Sequence, residues 1–172
     1  ALKIGELRDD SCIKIKSTNE KCSWKYLGVI DDLKALKYSS NTYQFRTAIK
    51  VGNGNYYYNS PLKLSTEALN IYRKTFSEFG LGVLTGIDLP NEQIGYIGKS
   101  NNSNLILNFS IGQYDTYTPI ELSQYINTIA NNGVRVKPSL INKVVSNKNE
   151  SIYVNERIEL NSVNTKIEYI NR

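Results

Sequence analysis

The strongest local constraint in this sequence is a helix that begins after Thr118. In the stretch TPIELSQYINTIANNG, Thr118 occupies the capping position, Pro119 the first helical position and Glu121 the third. Threonine and glutamate at this spacing cap each other's backbone N–H groups, and the first helical turn tolerates proline because its N–H has no helical partner. The sequence therefore predicts a helix that ends before Gly133. Its predicted core-facing stripe is Leu122, Tyr125, Ile126, Ile129 and Ala130.

The composition limits which functions this chain can perform. Its 172 residues are 40% hydrophobic, which is enough for one globular domain or a large part of one. Lys and Arg total 21 against 16 Asp and Glu, a net charge of +5. These charges are scattered, which suits an anionic neighbour but not a nucleic-acid module, and no apolar run is long enough to cross a bilayer. The complete absence of histidine excludes His-based catalytic triads and removes the commonest zinc ligand.

Three further helices are predicted in the first half of the chain. A short one follows Asp31, with Leu33 and Leu36 facing inward, and it stops near a pair of serines. A second runs from about Thr42 to the stretch VGNGN, and a third covers about residues 66–79. The predicted inward side chains of the second helix are Phe45, Ala48 and Ile49. Helices therefore dominate the middle of a mixed architecture.

Strand signals are weaker and lie mainly towards the two ends of the chain. Apolar and basic residues alternate over residues 12–16, which predicts a short half-exposed strand before the turn STNEK. The stretch LTGIDLPNEQIGYIG predicts a loop around a short strand, and SLINKVV and SIYVNERIEL predict a hairpin or two edge strands. The sequence contains no visible internal repeat and no clear domain boundary.

A Ser-x-Asn triplet, Ser39 to Asn41, lies at the joint between the first two predicted helices. Alone, such a triplet is also typical of a helix cap. Two longer patterns follow it: GLG..TGIDLP.E..G within residues 76–95, and IGQ.D.YTP.EL.Q....IAN.G....P within residues 108–138. In this order, the three patterns resemble the transpeptidase domain of class B penicillin-binding proteins over residues 28–138.

This resemblance implies an α/β fold of the α+β type, the serine penicillin-recognising β-lactamase/transpeptidase-like fold. It also implies a peptidoglycan D,D-transpeptidase, which cross-links stem peptides through an acyl-serine intermediate and needs no cofactor for catalysis. The family uses three signatures, Ser-x-x-Lys, Ser-x-Asn and Lys-Thr-Gly. Ser39 is expected to relay a proton between the lysine and the leaving nitrogen. Asn41 is expected to hold the lysine and the substrate's peptide group in register.

The first and third signatures have no convincing match in this chain. Ser-x-x-Lys occurs at Ser11 and at Ser60, and we interpret both as chance matches to a loose pattern. The family's nucleophile opens a buried helix well upstream of Ser-x-Asn, whereas Ser11 precedes a strand-like run and Ser60 follows the triplet. Lys-Thr-Gly does not occur. Residues 1–172 are therefore expected to be an internal segment of one transpeptidase domain, inactive on its own.

The resemblance also implies partners and a location. The expected ligands are peptidoglycan stem peptides and β-lactams, and the expected protein partners are membrane proteins of wall synthesis; no nucleic-acid partner is expected. The parent protein is expected at the extracytoplasmic face of the cell membrane, anchored by an N-terminal helix that this segment lacks. The rival hypothesis is a non-catalytic penicillin-binding homologue that acts as a scaffold or a β-lactam sensor.

The two cysteines, Cys12 and Cys22, flank a predicted turn, and the sequence leaves three states open for them. A disulfide suits a cell-surface protein, and two unlinked thiols are the second state. In the third, both thiolates and Asp10 or Asp9 hold a tetrahedral zinc. The resemblance adds weight to zinc, because some relatives carry it beside the active site. Asp10, Cys12 and Cys22 are thus the predicted structural zinc ligands.

Overall fold

The computed structural model describes residues 3–171, and these divide into two compact units. The first unit comprises residues 3–72 and 98–115, and the second comprises residues 73–97 and 116–171. Each unit is built from two separate stretches of the chain. Because the units are assembled in this way, no linker of distinct composition marks the division in the sequence.

The first unit combines one antiparallel strand pair with four helices. Three of the helices begin at a side-chain cap, where Asp31, Ser40 or Asn102 accepts the N–H of the residue three positions later. The last turns of the third helix belong to the second unit. The elements are β1 (Arg8–Asp9), β2 (Val29–Ile30), α1 (Asp32–Lys37), α2 (Asn41–Val51), α3 (Glu67–Glu78) and α4 (Ser103–Phe109).

The sequence predicted the positions of the first two helices better than it predicted which of their side chains are buried. The predicted inward residues of α2 are all buried: Phe45, Ala48 and Ile49. For α1 the predicted face is wrong, because Leu33 and Leu36 are 43% and 71% exposed. Ala35 is buried instead and packs with Ile30 and Tyr43. A helix of six residues makes fewer than two turns, so it buries one small residue rather than an apolar stripe.

Two further differences concern short elements of the first unit. Ile13 and Ile15 are buried, in keeping with the predicted alternation, but they form only isolated bridges to Lys21 and Ser60. The sequence pattern did not predict α4, in which three of the four apolar residues are at most 1% exposed: Ile106, Leu107 and Phe109. A short apolar run gives no usable periodicity, since a buried strand has the same pattern.

The second unit contains the capped helix and four short strands. β3 pairs with β6 and β4 pairs with β5, both antiparallel. The hairpin prediction is therefore confirmed for β4 and β5, whereas SIYVNERIEL contains two strands with different partners. The described residues 81–98 form a loop without the predicted strand. The elements are α5 (Pro119–Ala130), β3 (Val134–Val136), β4 (Lys143–Val145), β5 (Ser151–Val154), β6 (Glu159–Ser162) and α6 (Ile167–Ile170). None of the helices in the described part of the chain combines the length and apolarity that a membrane span requires.

The predicted start of α5 is confirmed, including both hydrogen bonds of the capping box between Thr118 and Glu121. Its predicted inward face is wrong, because Leu122 and Ile126 are 46% and 58% exposed and Ala130 is also exposed. Tyr125 and Ile129 are half-buried. The buried side chains are polar instead: Glu121, Gln124 and Thr128.

Hydrogen bonding explains why α5 buries its polar face. The Glu121 carboxylate accepts the N–H groups of Gly82, Gly95 and Thr118 at 2.7, 3.2 and 2.6 Å. Gln124 donates to the carbonyl of Val136 at 2.9 Å. Buried main-chain groups without a partner destabilise a fold, so the glycine-rich loop before α5 requires acceptors on the helix face that covers it.

Replacing Glu121 with glutamine is expected to destabilise the second unit. Glutamine keeps the length of the side chain but turns an NH2 group towards backbone donors, so at least one N–H loses its acceptor. We expect a loss of about 1–3 kcal/mol in the free energy of unfolding, measured by urea denaturation. Glu150→Gln, at an exposed position, is the matched control, and equal effects of both variants would contradict this account.

Candidate functional site

The Ser-x-Asn triplet lies in the turn between α1 and α2, as predicted. Ser39 adopts a left-handed backbone conformation with φ of 52°. Ser40 is the N-cap of α2 and accepts the N–H of Tyr43 at 3.0 Å. Asn41 is the first residue of the helix. This backbone turn leaves Ser39 exposed while Ser40 is only 2% exposed.

An open cavity of about 160 Å³ adjoins this turn. The two predicted catalytic residues, Ser39 and Asn41, both line it, so the structure brings them together on one surface. Asn41 Nδ2 also donates to the carbonyl of Cys22 at 3.4 Å, which restricts the direction of the amide. The lining residues are Ala35, Leu36, Ser39, Ser40, Asn41, Gln44 and Ile111.

Behind the turn lies a buried cluster centred on Asp10, which is 2% exposed. Its Oδ1 accepts hydrogen bonds from the hydroxyls of Ser40 and Thr42, and from Ser23 Oγ at 2.9 Å. Its Oδ2 accepts the N–H of Leu27 at 3.1 Å. The sequence pattern around Asp10 pointed only to a zinc ligand, and no local pattern pointed to these four donors.

The cysteines form a disulfide, so the predicted zinc set of Asp10, Cys12 and Cys22 is not formed. The S–S distance is 2.00 Å, and disulfide sulfurs are not the thiolates that bind zinc. The carboxylate close to the sulfurs is that of Glu20, within 4.8 Å, rather than that of Asp10. Asp10 is instead occupied by hydroxyl donors. Of the three states left open by the sequence, the structure contains the disulfide.

The two literal Ser-x-x-Lys matches lack the setting of an activated nucleophile. Neither Ser11 nor Ser60 lies in a helix. Ser11 Oγ accepts a hydrogen bond from the Arg46 guanidinium at 2.8 Å, and Ser60 takes part in an isolated bridge with Ile15. A guanidinium cannot take a proton from a serine at neutral pH. Their interpretation as chance matches stays a prediction.

An ion-pair network holds the middle and the C-terminal turn of α2. The Glu6 carboxylate accepts from Lys50 Nζ at 2.8 Å and from the Arg8 guanidinium at 3.2 Å. These contacts, with Lys50 the largest cause, lower the pKa of Glu6 to about 2. Arg8 also donates to Thr47 Oγ1 at 2.6 Å. The helix that carries Asn41 is thus anchored at residues beyond those that line the cavity.

Several glycines and acids of the two longer patterns make structural contacts. Gly80 has φ of 97°, and a Cβ there would lie 2.4 Å from Gln124 Oε1. Asp88 accepts a hydrogen bond from Ser139 Oγ at 2.6 Å. That bond, with others from the backbone of residues 140 and 141, lowers the pKa of Asp88 to about 2. Asp115 accepts the N–H of Gly98 at 2.9 Å.

Comparison with known proteins gives concordant matches. The family model described as the penicillin binding protein transpeptidase domain matches residues 4–169. Penicillin-binding protein 2A of Bacillus subtilis is 55% identical over 124 residues, which cover 72% of this chain and 17% of that relative. This chain therefore spans less than a fifth of the relative's length.

Solved structures agree with this match. Penicillin-binding protein 2B from Streptococcus pneumoniae strain R6 has a TM-score of 0.89 at 32% identity, covering 99% of this chain and 29% of that chain. Penicillin-binding protein A from Mycobacterium tuberculosis, in a ceftriaxone acyl-enzyme complex, has a TM-score of 0.75 at 17% identity. That match covers 98% of this chain and 36% of the neighbour and shows a shared fold.

Removing the disulfide is expected to destabilise the loop that ends directly before Ser23. The double variant C12S/C22S frees a loop with a sequence separation of 10 residues, for which chain entropy predicts a loss of about 2–3 kcal/mol in the free energy of unfolding. Urea denaturation measures this loss, and a reductant is expected to shift the wild-type midpoint but not that of the variant. Two titratable thiols in the oxidised wild-type protein would contradict the assignment.

Proposed function

Because this chain belongs to the penicillin-binding protein transpeptidase family, we propose that its parent protein is a serine-type peptidoglycan D,D-transpeptidase. In the proposed reaction, an activated serine attacks the D-Ala-D-Ala carbonyl of a stem peptide. The peptide C–N bond breaks, and D-alanine leaves after its nitrogen receives a proton. An amine of a neighbouring strand then attacks the acyl-enzyme, which releases the serine and forms the cross-link.

The observation that carries the proposal is the arrangement of Ser39 and Asn41 on one cavity wall. Ser39 is exposed in a left-handed turn, so its hydroxyl is available to relay a proton to the leaving nitrogen. The Asn41 amide has a second donor hydrogen and a carbonyl oxygen beyond its contact with Cys22. These groups suit the proposed role of Asn41, which is to orient the lysine and the substrate peptide bond.

The nucleophile and the substrate-binding strand are proposed to lie outside residues 1–172. Within the described residues, neither literal Ser-x-x-Lys match opens a helix, and Lys-Thr-Gly is absent from the sequence. The chain also spans only 17% of its curated relative. A segment that carries the second signature alone supplies the proton relay but no acylated serine, so we expect it to be inactive in isolation.

The proposed setting is the extracytoplasmic face of the cell membrane. A disulfide between Cys12 and Cys22 suits an oxidising compartment, and a net charge of +5 suits anionic wall polymers and lipid head groups. The membrane anchor and the contacts with wall-synthesis proteins are proposed for the parent protein. β-Lactams are proposed to acylate the same serine, because their strained amide imitates the D-Ala-D-Ala peptide bond.

Labelled-penicillin acylation of the full-length protein tests this function. We expect one covalent adduct, and peptide mapping by mass spectrometry is expected to locate it on a serine outside residues 1–172. Ser39→Ala and Asn41→Ala are expected to slow acylation about 100-fold or more, because they remove the proton relay and its orienting amide. The matched controls, Ser151→Ala and Asn101→Ala at exposed positions, are expected to react at the wild-type rate.

Three other results of the penicillin experiment would contradict parts of the proposed function. An adduct on Ser11 or Ser60 would show that the nucleophile lies within this chain and would contradict the proposed assignment. No adduct at any site would favour a non-catalytic scaffold over an enzyme. Acylation that is unaffected by Ser39→Ala and Asn41→Ala would remove these two residues from the mechanism.

A further inference from the structure

Asp10 is a buried carboxylate that the proposed reaction does not use. Only 2% of its surface is exposed, and burial of a carboxylate is costly unless donors satisfy its oxygens. Its hydrogen bonds come from neutral donors, namely the hydroxyls of Ser23, Ser40 and Thr42 and the N–H of Leu27. The Asp10 N–H also donates to the carbonyl of residue 28 at 2.9 Å, so this residue is held on both sides.

Two donors to Asp10 alternate along the chain with the two predicted catalytic residues, although Ser40 also contributes to the cavity wall. Ser40 and Thr42 lie on either side of Asn41, and both direct their hydroxyls to Oδ1 of Asp10. Because these two side chains turn inward, Ser39 and Asn41 are directed towards the cavity. The hydroxyl hydrogen of Ser40 is engaged by Asp10, which leaves the oxygen to accept the N–H that caps α2.

Ser23 connects the Asp10 carboxylate to the chain segment that contacts the Asn41 amide. Its Oγ donates to Asp10 at 2.9 Å and accepts the N–H of Thr42 at 3.3 Å. The preceding residue, Cys22, provides the carbonyl that accepts from Asn41 Nδ2 at 3.4 Å. Asp10 therefore holds both the turn that presents Asn41 and the segment that orients its amide.

We propose that Asp10 is a positioning residue for acyl transfer, which acts through Ser23, Ser40 and Thr42 to fix the directions of Ser39 and Asn41. The inference rests on the proposed function, since it assigns Asp10 to the same site. Asp10 does not line the cavity. Its loss loosens the proton relay, and a small displacement of a relay group slows a reaction strongly even when the fold persists.

The test is Asp10→Asn in the full-length protein. Asparagine has nearly the same shape, but its NH2 group replaces an acceptor, so either the hydroxyl cluster or the N–H of Leu27 loses its partner. We expect the rate constant of acylation by labelled penicillin to fall about 10- to 100-fold. The non-covalent affinity and the number of adducts per protein molecule are expected to remain at wild-type values. Asp9→Asn, at the exposed neighbouring carboxylate, is expected to react normally.

Two further variants separate positioning from stability. Ser23→Ala removes one of the four donors to Asp10 and keeps the carboxylate. It is therefore the milder variant, and we expect a smaller fall in the same rate constant. In the S39A/N41A background, Asp10→Asn is expected to cause no further fall, because the residues that it orients are absent. A purely structural role would lower the number of adducts per molecule and leave their rate of formation unchanged.

The outcomes distinguish this inference from the function on which it rests. Wild-type acylation rates in both Asp10→Asn and Ser23→Ala would overturn the positioning role alone. A lower adduct stoichiometry at an unchanged rate would also overturn it alone. A wild-type protein that forms no penicillin adduct would overturn the proposed function and the positioning role together.

Discussion

A buried carboxylate must be surrounded by hydrogen-bond donors, and each unit of this protein is organised around one. In the first unit, Asp10 accepts from the hydroxyls of Ser23, Ser40 and Thr42 and from one backbone N–H. In the second, Glu121 accepts three backbone N–H groups from the adjoining loop and helix start. Because an unsatisfied buried charge is costly, each carboxylate fixes the path of the chain around it.

This constraint links the fold to the proposed chemistry in the first unit. A proton relay needs side chains that keep their direction while the reaction proceeds. Ser39 and Asn41 meet this need because their neighbours, Ser40 and Thr42, are engaged from behind by Asp10. The disulfide adds a covalent limit on the segment that carries Ser23. Serine, asparagine and carboxylate groups thus support a site in a chain that contains no histidine.

Local sequence signals predicted where the helices begin better than which of their sides is buried. The cap at Thr118 predicted the start of α5, since a cap depends on residues within one turn, and α1 also begins after Asp31 as predicted. The apolar stripes failed at Leu36 and Leu122, which are exposed. Which side of a helix is buried depends on the surface that it packs against. The loop before α5 required hydrogen-bond acceptors from that helix rather than apolar side chains. The helix at Ser103–Phe109 was missed because seven residues give too little periodicity.

The sequence alone determined the family and the position of Ser39 and Asn41 along the chain. The family patterns consist of glycines, helix caps and turn residues, and each of these depends on the backbone of one short stretch of chain. Only the tertiary structure decided that Cys12 and Cys22 form a disulfide and that Asp10 lies behind the Ser-x-Asn turn. Asp10 meets its hydroxyl donors across sequence separations of 13, 30 and 32 residues. Contacts at such distances leave no periodic trace in the sequence, since they arise only when separate segments pack together.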